Sequence, residues 1–168
     1  MHEPVLVNEV MDLLSVREGG RYIDGTVGSG GHAEAILKKA GRSGFLLGID
    51  RDIEAVKRAS KRLKPWSEHS VVVHGNYSQM DRIVRERGIG EVDGILLDLG
   101  VSSEQLDDPS RGFSFMADGP LDMRMDTLSG QTAGGLLNDI SEENLVRLIR
   151  VYREERGAKR IARAIVRE

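Results

Sequence analysis

The sequence has no cysteine, only four prolines and few aromatic residues, and none of its apolar runs is long. Without cysteine there is no disulfide framework and no thiolate metal site. The four histidines are scattered without metal-ligand spacing, so we predict no bound metal. No apolar run is long enough to span a membrane, and the N-terminus lacks a signal-peptide pattern. We therefore expect a soluble, cytoplasmic protein with no membrane partner.

A strong excess of positive charge is also lacking, because the net charge is −3. This balance argues against a protein that coats nucleic acid non-specifically, but it does not exclude a local basic patch. Only residues 141–168 are net positive, with eight basic and five acidic side chains. A basic helix face is usually solvated, so RNA contact there is the less favoured interpretation.

Four apolar segments, each followed by polar residues, read as buried strands: 21–24, 45–50, 71–73 and 92–99. Amphipathic helical patterns lie between them, with Asp52 as one N-cap and Ser78 with Asp81 as a capping pair for the next helix. Alternating strands and helices indicate an α/β fold with a doubly wound parallel sheet in the order 3-2-1-4. Residues 101–130 show no period and predict a long functional loop, and the chain beyond is helical, with Ser141 as a cap.

The glycine-rich turn between the first strand and its helix carries the strongest functional signal. Gly28, Gly30 and Ala33 match the spacing of a dinucleotide-type fingerprint, in which glycines let backbone N–H groups approach a ligand. Asp50 ends the next strand 22 residues after Gly28, where such folds place an acid that binds ribose. The pattern favours a cleft for an adenosine-containing ligand, although a tight structural turn would also use these glycines.

Each of the four predicted strands leads to a candidate ligand-binding group, three of the four polar or acidic, and in a parallel sheet these ends meet along one edge. Besides the glycine turn and Asp50, they include the Asn76–Tyr77 turn and Asp98. Asp98 either accepts a hydrogen bond from an amino group of a ligand or substrate, or caps the following turn. His32 begins the helix after the glycines, beside the expected ligand.

The irregular segment contains a second candidate site, for RNA. Arg111, Phe113 and Phe115 alternate a guanidinium with two aromatic rings, a set that can stack an unpaired base and hold its phosphate. Alternatively, the rings anchor the loop to the core. Arg124, between Asp122 and Asp126, belongs either to an internal network with these carboxylates or to a substrate-binding wall.

Together, five motifs resemble the ribosomal RNA small subunit methyltransferase H family over essentially the whole chain. They are Asp24–His32, Ile49–Asp52, Asp93–Ser103, Arg111–Phe115 and Leu121–Asp126. The resemblance implies a class I, Rossmann-like methyltransferase that uses S-adenosylmethionine. It also implies that the substrate is the N4 amino group of a cytidine in 16S rRNA of the small ribosomal subunit.

The resemblance assigns roles to individual residues. Gly30, Gly31 and His32 would line the methionine end of the cofactor, Asp50 would bind the ribose hydroxyls, Tyr77 would lie near the adenine, and Asp98 and Gln105 would complete the pocket. Asp98 is also the candidate catalytic residue, because a cytosine N4 is weakly nucleophilic and a hydrogen-bond acceptor would activate it. Many amino-methyltransferases carry a proline-rich motif at this point, whereas this chain reads Asp98-Leu-Gly-Val101.

Members of the family continue well past residue 168, so we expect a truncated form. Residues 1–108 would form the cofactor-binding core, and residues 109–168 the substrate loop with the start of an all-helical insertion. The fourth strand would be an uncovered edge, which predicts weak cofactor binding or association through that edge. The residues themselves leave two alternatives: an NAD-dependent oxidoreductase, and a non-catalytic RNA-binding or assembly module.

Overall fold

The structure, a computed structural model, describes residues 5–153 and 156–167. The chain divides into two units, one of residues 5–102 with 126–128, the other of residues 103–125 with 129–153 and 156–167. This division falls six residues before the predicted domain boundary at 108, which stays a prediction. The three-residue segment Asp126–Leu128 belongs to the first unit, and Asp126 Oδ1 lies 3.5 Å from His74 Nε2 there.

A four-stranded parallel sheet forms the centre of the first unit. Its strands are β1 (Arg21–Asp24), β2 (Phe45–Asp50), β3 (Ser70–His74) and β4 (Gly94–Leu96). Their order is β3-β2-β1-β4, as the sequence predicts. The parallel register aligns Ile23 of β1 with Leu47 of β2 and with Ile95 of β4. All four carboxyl ends therefore lie along one edge of the sheet.

Helices cover both faces of this sheet, which confirms the doubly wound α/β class. They are α1 (Val7–Leu13), α2 (Gly31–Ala40), α3 (Ile53–Arg62) and α4 (Met80–Glu86). Because successive strand residues point to opposite faces, Tyr22 and Leu46 pack in the cluster that includes α2, whereas Ile23 and Leu47 pack with Ile83 of α4. The buried residues of α2, Ala33, Ile36, Leu37 and Ala40, have the helical spacing of a core-facing stripe.

Two local predictions need correction, and one is confirmed. The fourth strand is only Gly94–Leu96, because the chain leaves the ladder once Leu96 has paired with the end of β1. The predicted Ser78–Asp81 cap is wrong, since the Asn76 side chain accepts the Ser78 N–H and opens a 3₁₀ turn before α4. The Asp52 cap is confirmed, because its side chain accepts the Glu54 N–H at 2.9 Å.

The second unit contains α5 (Ser103–Asp107), α6 (Ala133–Asp139), α7 (Glu142–Arg153) and α8 (Ala158–Arg167). Residues 101–130 are therefore not wholly irregular, since they include α5 and a 3₁₀ turn at Pro109–Arg111. Ser141 caps α7 as predicted, with its Oγ accepting the Asn144 N–H at 3.3 Å. Among the described residues, no helix has the length and apolar composition needed to cross a membrane.

Candidate functional site

The glycine loop connects β1 to α2 and is held to the sheet by backbone hydrogen bonds. Val27 N–H donates to the Ile49 carbonyl of β2 at 3.0 Å, and Gly25 N–H donates to the Leu96 carbonyl of β4 at 2.9 Å. Gly28 and Gly30 have φ angles of +53° and +80°, in the left-handed region that favours glycine. The fingerprint glycines therefore serve a backbone conformation that other residues rarely adopt.

Asp50 fastens the glycine loop to the end of β2. One carboxylate oxygen accepts the Gly28 N–H at 2.8 Å, and the other accepts the Asp52 N–H at 2.9 Å. Burial raises the pKa of Asp50, and these two N–H donors oppose that shift. Because a carboxylate has about four lone-pair positions, Asp50 can hold the loop and still accept hydrogen bonds from a ligand. The sequence predicted only the ligand-binding role.

Thr26 joins the glycine loop to Asp98, a link that the sequence analysis missed. The Asp98 N–H donates to Thr26 Oγ1 at 2.7 Å across 72 positions of sequence. This bond fixes the backbone of Asp98 beside the loop, and the Asp98 residue remains exposed. Thr26 could be identified only from the pairing of β1 with β4 in three dimensions, because no sequence pattern links it to Asp98.

Replacing Thr26 with valine keeps the side-chain volume but removes the acceptor for the Asp98 N–H. If this bond positions Asp98 for a ligand, we expect Thr26→Val to weaken ligand binding by about fivefold, the effect of losing a neutral hydrogen bond worth ~1 kcal/mol. Calorimetric titration with S-adenosylhomocysteine measures this. Thr26→Ser retains the hydroxyl and should restore most of the affinity; equal losses in both variants would contradict the role.

Tyr77 and His32 stand next to the same loop. A Cβ atom added to Gly25 would lie 3.2 Å from Tyr77 Cβ and 2.6 Å from Leu97 Cδ2, so the loop needs glycine to pass Tyr77 closely. Burial lowers the pKa of His32, and the nearby Asp98 carboxylate partly opposes this shift. Within the described part of the chain, the buried Nδ1 of His32 has no hydrogen-bond partner. A neutral ring nitrogen is therefore available for a ligand.

Asp24, at the end of β1, is a buried acid that was not among the site residues predicted from the sequence. Burial is the main cause that raises its pKa to about 7, and the neighbouring carboxylates of Asp50 and Asp98 raise it further. The Thr26 N–H, 3.2 Å from its Oδ1, partly opposes the shift. Three acids thus lie at this edge of the sheet and influence one another electrostatically, and Asp24 binds a proton near neutral pH.

The raised pKa of Asp24 predicts a pH-dependent stability. Between pH 3.8 and about 7 the folded chain holds a proton on Asp24 that the unfolded chain has lost. The free energy of unfolding therefore falls as pH rises through this range, by up to about 1.4 kcal/mol per pH unit, and the effect levels off above it. Asp24→Asn should remove this slope in denaturant titrations at several pH values. Asp81→Asn, an exposed acid on α4, should keep it, and an unchanged slope in Asp24→Asn would contradict the assignment.

The remaining predicted site residues lie in the second unit. Gln105 is buried in α5. Arg111 Nη2 donates to the carbonyls of Arg124 and Met125 at 3.0 and 2.9 Å. Arg124 forms a two-point ion pair with Asp122, at 2.8 Å to each carboxylate oxygen, and its guanidinium lowers the pKa of Asp122 to about 2. Of the two alternatives for Arg124, the structure contains the internal network.

The two aromatic residues of this loop differ in exposure. Phe113 is half-buried, consistent with a ring that anchors the loop, whereas Phe115 is fully exposed. Phe115 is therefore the better placed of the two to stack on a base, and its RNA role stays a prediction. The described residues contain no cluster of three side chains able to hold a metal ion.

The first unit thus brings together four of the sequence features predicted to form a site: the glycine loop, Asp50, Tyr77 and Asp98. Gly31 adds the first residue of α2 directly after the loop. Loop glycines with left-handed φ angles, a carboxylate at the end of β2 and a buried ring nitrogen with no partner among the described residues fit a ligand with ribose and amino-acid groups. These features are those of a nucleotide-type cofactor site at the carboxyl edge of a parallel sheet.

Two solved structures share the fold of this chain. The chain is similar to a protein described as an rRNA methylase from Clostridium thermocellum, with a TM-score of 0.50 and 19% identity, over 62% of this chain and 58% of that one. It is equally similar to TrmN from Thermus thermophilus, with a TM-score of 0.50 and 21% identity, over 61% of this chain and 30% of that one. The fold is that of class I S-adenosylmethionine-dependent methyltransferases.

Sequence comparison identifies the family to which the chain belongs within this class. The model of the MraW methylase family matches residues 1–168, and the chain belongs to that family. It is 51% identical over 166 residues to the ribosomal RNA small subunit methyltransferase H of Geobacter sulfurreducens, covering 99% of this chain and 53% of that protein. The protein of the same name from Syntrophus aciditrophicus is 52% identical over 164 residues, 98% of this chain and 52% of that protein. The chain spans about half the length of these curated relatives.

Proposed function

We propose that this chain carries the cofactor site of an S-adenosylmethionine-dependent methyltransferase that modifies the N4 amino group of a cytidine in 16S rRNA. The observation that carries the proposal is the hydrogen-bonded link from Asp50 to Gly28 and from Asp98 to Thr26. It builds one site from three strand ends in a chain of the MraW methylase family. The small ribosomal subunit would be its partner, and the cytoplasm its location.

Different residues of the first unit would bind different parts of the cofactor. Gly28, Gly30 and Gly31 offer backbone close to the methionine end, where the buried Nδ1 of His32 can pair with a polar group. Asp50 would accept hydrogen bonds from the ribose, and Tyr77 would lie near the adenine. The family resemblance also assigns Gln105 a role in cofactor binding. When bound, S-adenosylmethionine supplies an electrophilic methyl group.

Asp98 is the residue we assign to the reacting amino group. A cytosine N4 shares its lone pair with the ring and loses one proton when it is methylated. An exposed carboxylate held by Thr26 can accept the N–H hydrogen bond and orient that lone pair for attack. Burial lowers the pKa of His32, which favours the neutral form of its ring beside Asp98.

Binding of S-adenosylhomocysteine tests the proposal against an NAD-dependent oxidoreductase, which would use the same turn and acid. Calorimetric titration should give one site per chain for S-adenosylhomocysteine and no saturable heat for NAD. The opposite preference would support the oxidoreductase. Binding of RNA with no response to either ligand would support a non-catalytic RNA-binding module.

Replacing Asp98 with asparagine tests its catalytic role. We expect the rate of methyl transfer to small ribosomal subunits, at saturating cofactor, to fall by about 10²-fold or more, within the range that general acid–base groups contribute. The rate should be measured with the chain extended to the length of its relatives, beside the chain as it stands. A near-native rate would remove Asp98 from the chemistry while leaving the cofactor site intact.

A further inference from the structure

A wide groove lies between the last two helices, in the second unit. α7 and α8 pack through small and aliphatic residues, with Leu145, Ala158 and Ala162 buried. Beside this contact, residues of both helices line an open cavity of about 750 Å³. Val146 and Val151 give it an apolar part, Glu142 and Glu143 contribute two acids, and the cations of the lining are Arg147, Arg150, Lys159 and Arg163. We call this cavity the α7–α8 groove.

Positive charge lines the groove from both helices. Arg147 and Arg150 are three positions apart on α7, and Lys159 and Arg163 are four apart on α8, so each pair shares one helix face. All four residues are exposed. Arg163 Nε of α8 lies 3.5 Å from Glu142 Oε1 of α7, an ion pair between the two helices. The four cations outnumber the two acids of the lining, Glu142 and Glu143, so the described lining of the groove carries net positive charge.

Two facing rows of cations around an apolar strip suit a linear polyanion that also has apolar surface. Nucleic acid has this chemistry, because its phosphates follow one another at regular spacing and its bases and sugars present flat or apolar faces. Guanidinium groups bind phosphate oxygens with two parallel hydrogen bonds. An acidic peptide would supply the charge without such regular spacing.

We propose that the α7–α8 groove binds the phosphate backbone of the RNA substrate, away from the nucleotide that is methylated. The choice of RNA rests on the proposed function, whereas the charge and shape of the groove do not. Phosphate contacts position a nucleic acid and do not read its sequence, so the groove would contribute affinity and orientation rather than base specificity.

Salt-dependent binding of a labelled single-stranded RNA, followed by fluorescence anisotropy without any adenosyl ligand, tests this inference. Each phosphate contact on a single strand contributes about 0.7 to the slope of log affinity against log salt. The double variants R147Q/R150Q and K159Q/R163Q should each weaken binding and reduce that slope by roughly 1.4. The control K61Q/K64Q removes two exposed cations from the first unit and should change neither quantity.

Glu142→Gln supplies a test of opposite sign. It removes the carboxylate that pairs with Arg163 and repels phosphate, so we expect RNA affinity to rise severalfold. A destabilised helix pair would not bind RNA more tightly. The inference is overturned if Glu142→Gln weakens binding, if the control loses as much affinity as the groove variants, or if poly-glutamate competes as well as RNA.

The same experiments separate this inference from the proposed function. If S-adenosylhomocysteine binds while the groove variants keep full RNA affinity, the groove assignment fails and the cofactor site stands. If RNA binding depends on the groove and S-adenosylhomocysteine does not bind, the methyltransferase proposal fails and the groove stands.

Discussion

Replacing Asp50 with asparagine is expected to weaken S-adenosylhomocysteine binding at least about tenfold. The Gly28 N–H and the Asp52 N–H bind different oxygens of the carboxylate, at 2.8 and 2.9 Å, and in the amide one of these oxygens becomes an NH₂ group that cannot accept. Hydrogen bonds to a charged group contribute about 1.5–3 kcal/mol, and 1.4 kcal/mol corresponds to a factor of ten in affinity. The glycine loop loses its anchor and the ribose loses its acceptor in the same substitution.

Calorimetric titration measures the loss, and circular dichroism checks that the sheet still forms. Asp81→Asn is the matched control, because Asp81 is an exposed acid on α4 whose ion pair with Arg85 lies at the surface. We expect this control to bind as the parent does. Parent-like affinity in Asp50→Asn would mean that this carboxylate neither holds the ligand nor shapes the loop that does.

Gly30→Val is expected to reduce both stability and ligand binding. The φ angle of Gly30 is +80°, and its added Cβ would lie 3.3 Å from Ala59 Cα on α3. A left-handed conformation costs most residues about 1–2 kcal/mol, more for a β-branched one, and the contact with α3 adds to this. At about 2–4 °C per kcal/mol for a chain of this size, the melting temperature should fall by roughly 4–10 °C.

Thermal unfolding measures this change, with Gly90→Val as the control. A Cβ at Gly90 would meet no atom within 4 Å, and its φ angle lies outside the left-handed region. The control should therefore melt within a degree or two of the parent, as surface substitutions usually do. If Gly30→Val has the melting temperature of the control and binds S-adenosylhomocysteine normally, neither stability nor ligand binding requires glycine at this position.

The central strands could be predicted from the sequence because their burial is continuous. β1 and β2 match the predicted segments at both ends, since each is an apolar run that stops at an acid, Asp24 or Asp50. β4 is shorter than its apolar run, because it pairs only with the three residues Tyr22–Asp24 of β1. The hydrophobic pattern continues through Leu97 and Leu99, but both residues are exposed.

The candidate site could be predicted as a set of positions but not as a set of contacts. Glycine spacing and strand-end acids identified Gly30, Asp50 and Asp98. The bonds of Asp50 to Gly28 and of Asp98 to Thr26 span 22 and 72 positions, so no local pattern contains them. The five-residue helix α5 was missed for a related reason, since one turn and a half is too short to show a period.

The most direct test of a shared adenosyl site at these strand ends is amide chemical-shift mapping during titration with S-adenosylhomocysteine. The account predicts that the largest shifts fall on the glycine loop and on the residues at the ends of β2, β3 and β4, including Asp50, Tyr77 and Asp98. Shifts concentrated on the α7–α8 groove, or none at saturating ligand, would contradict it.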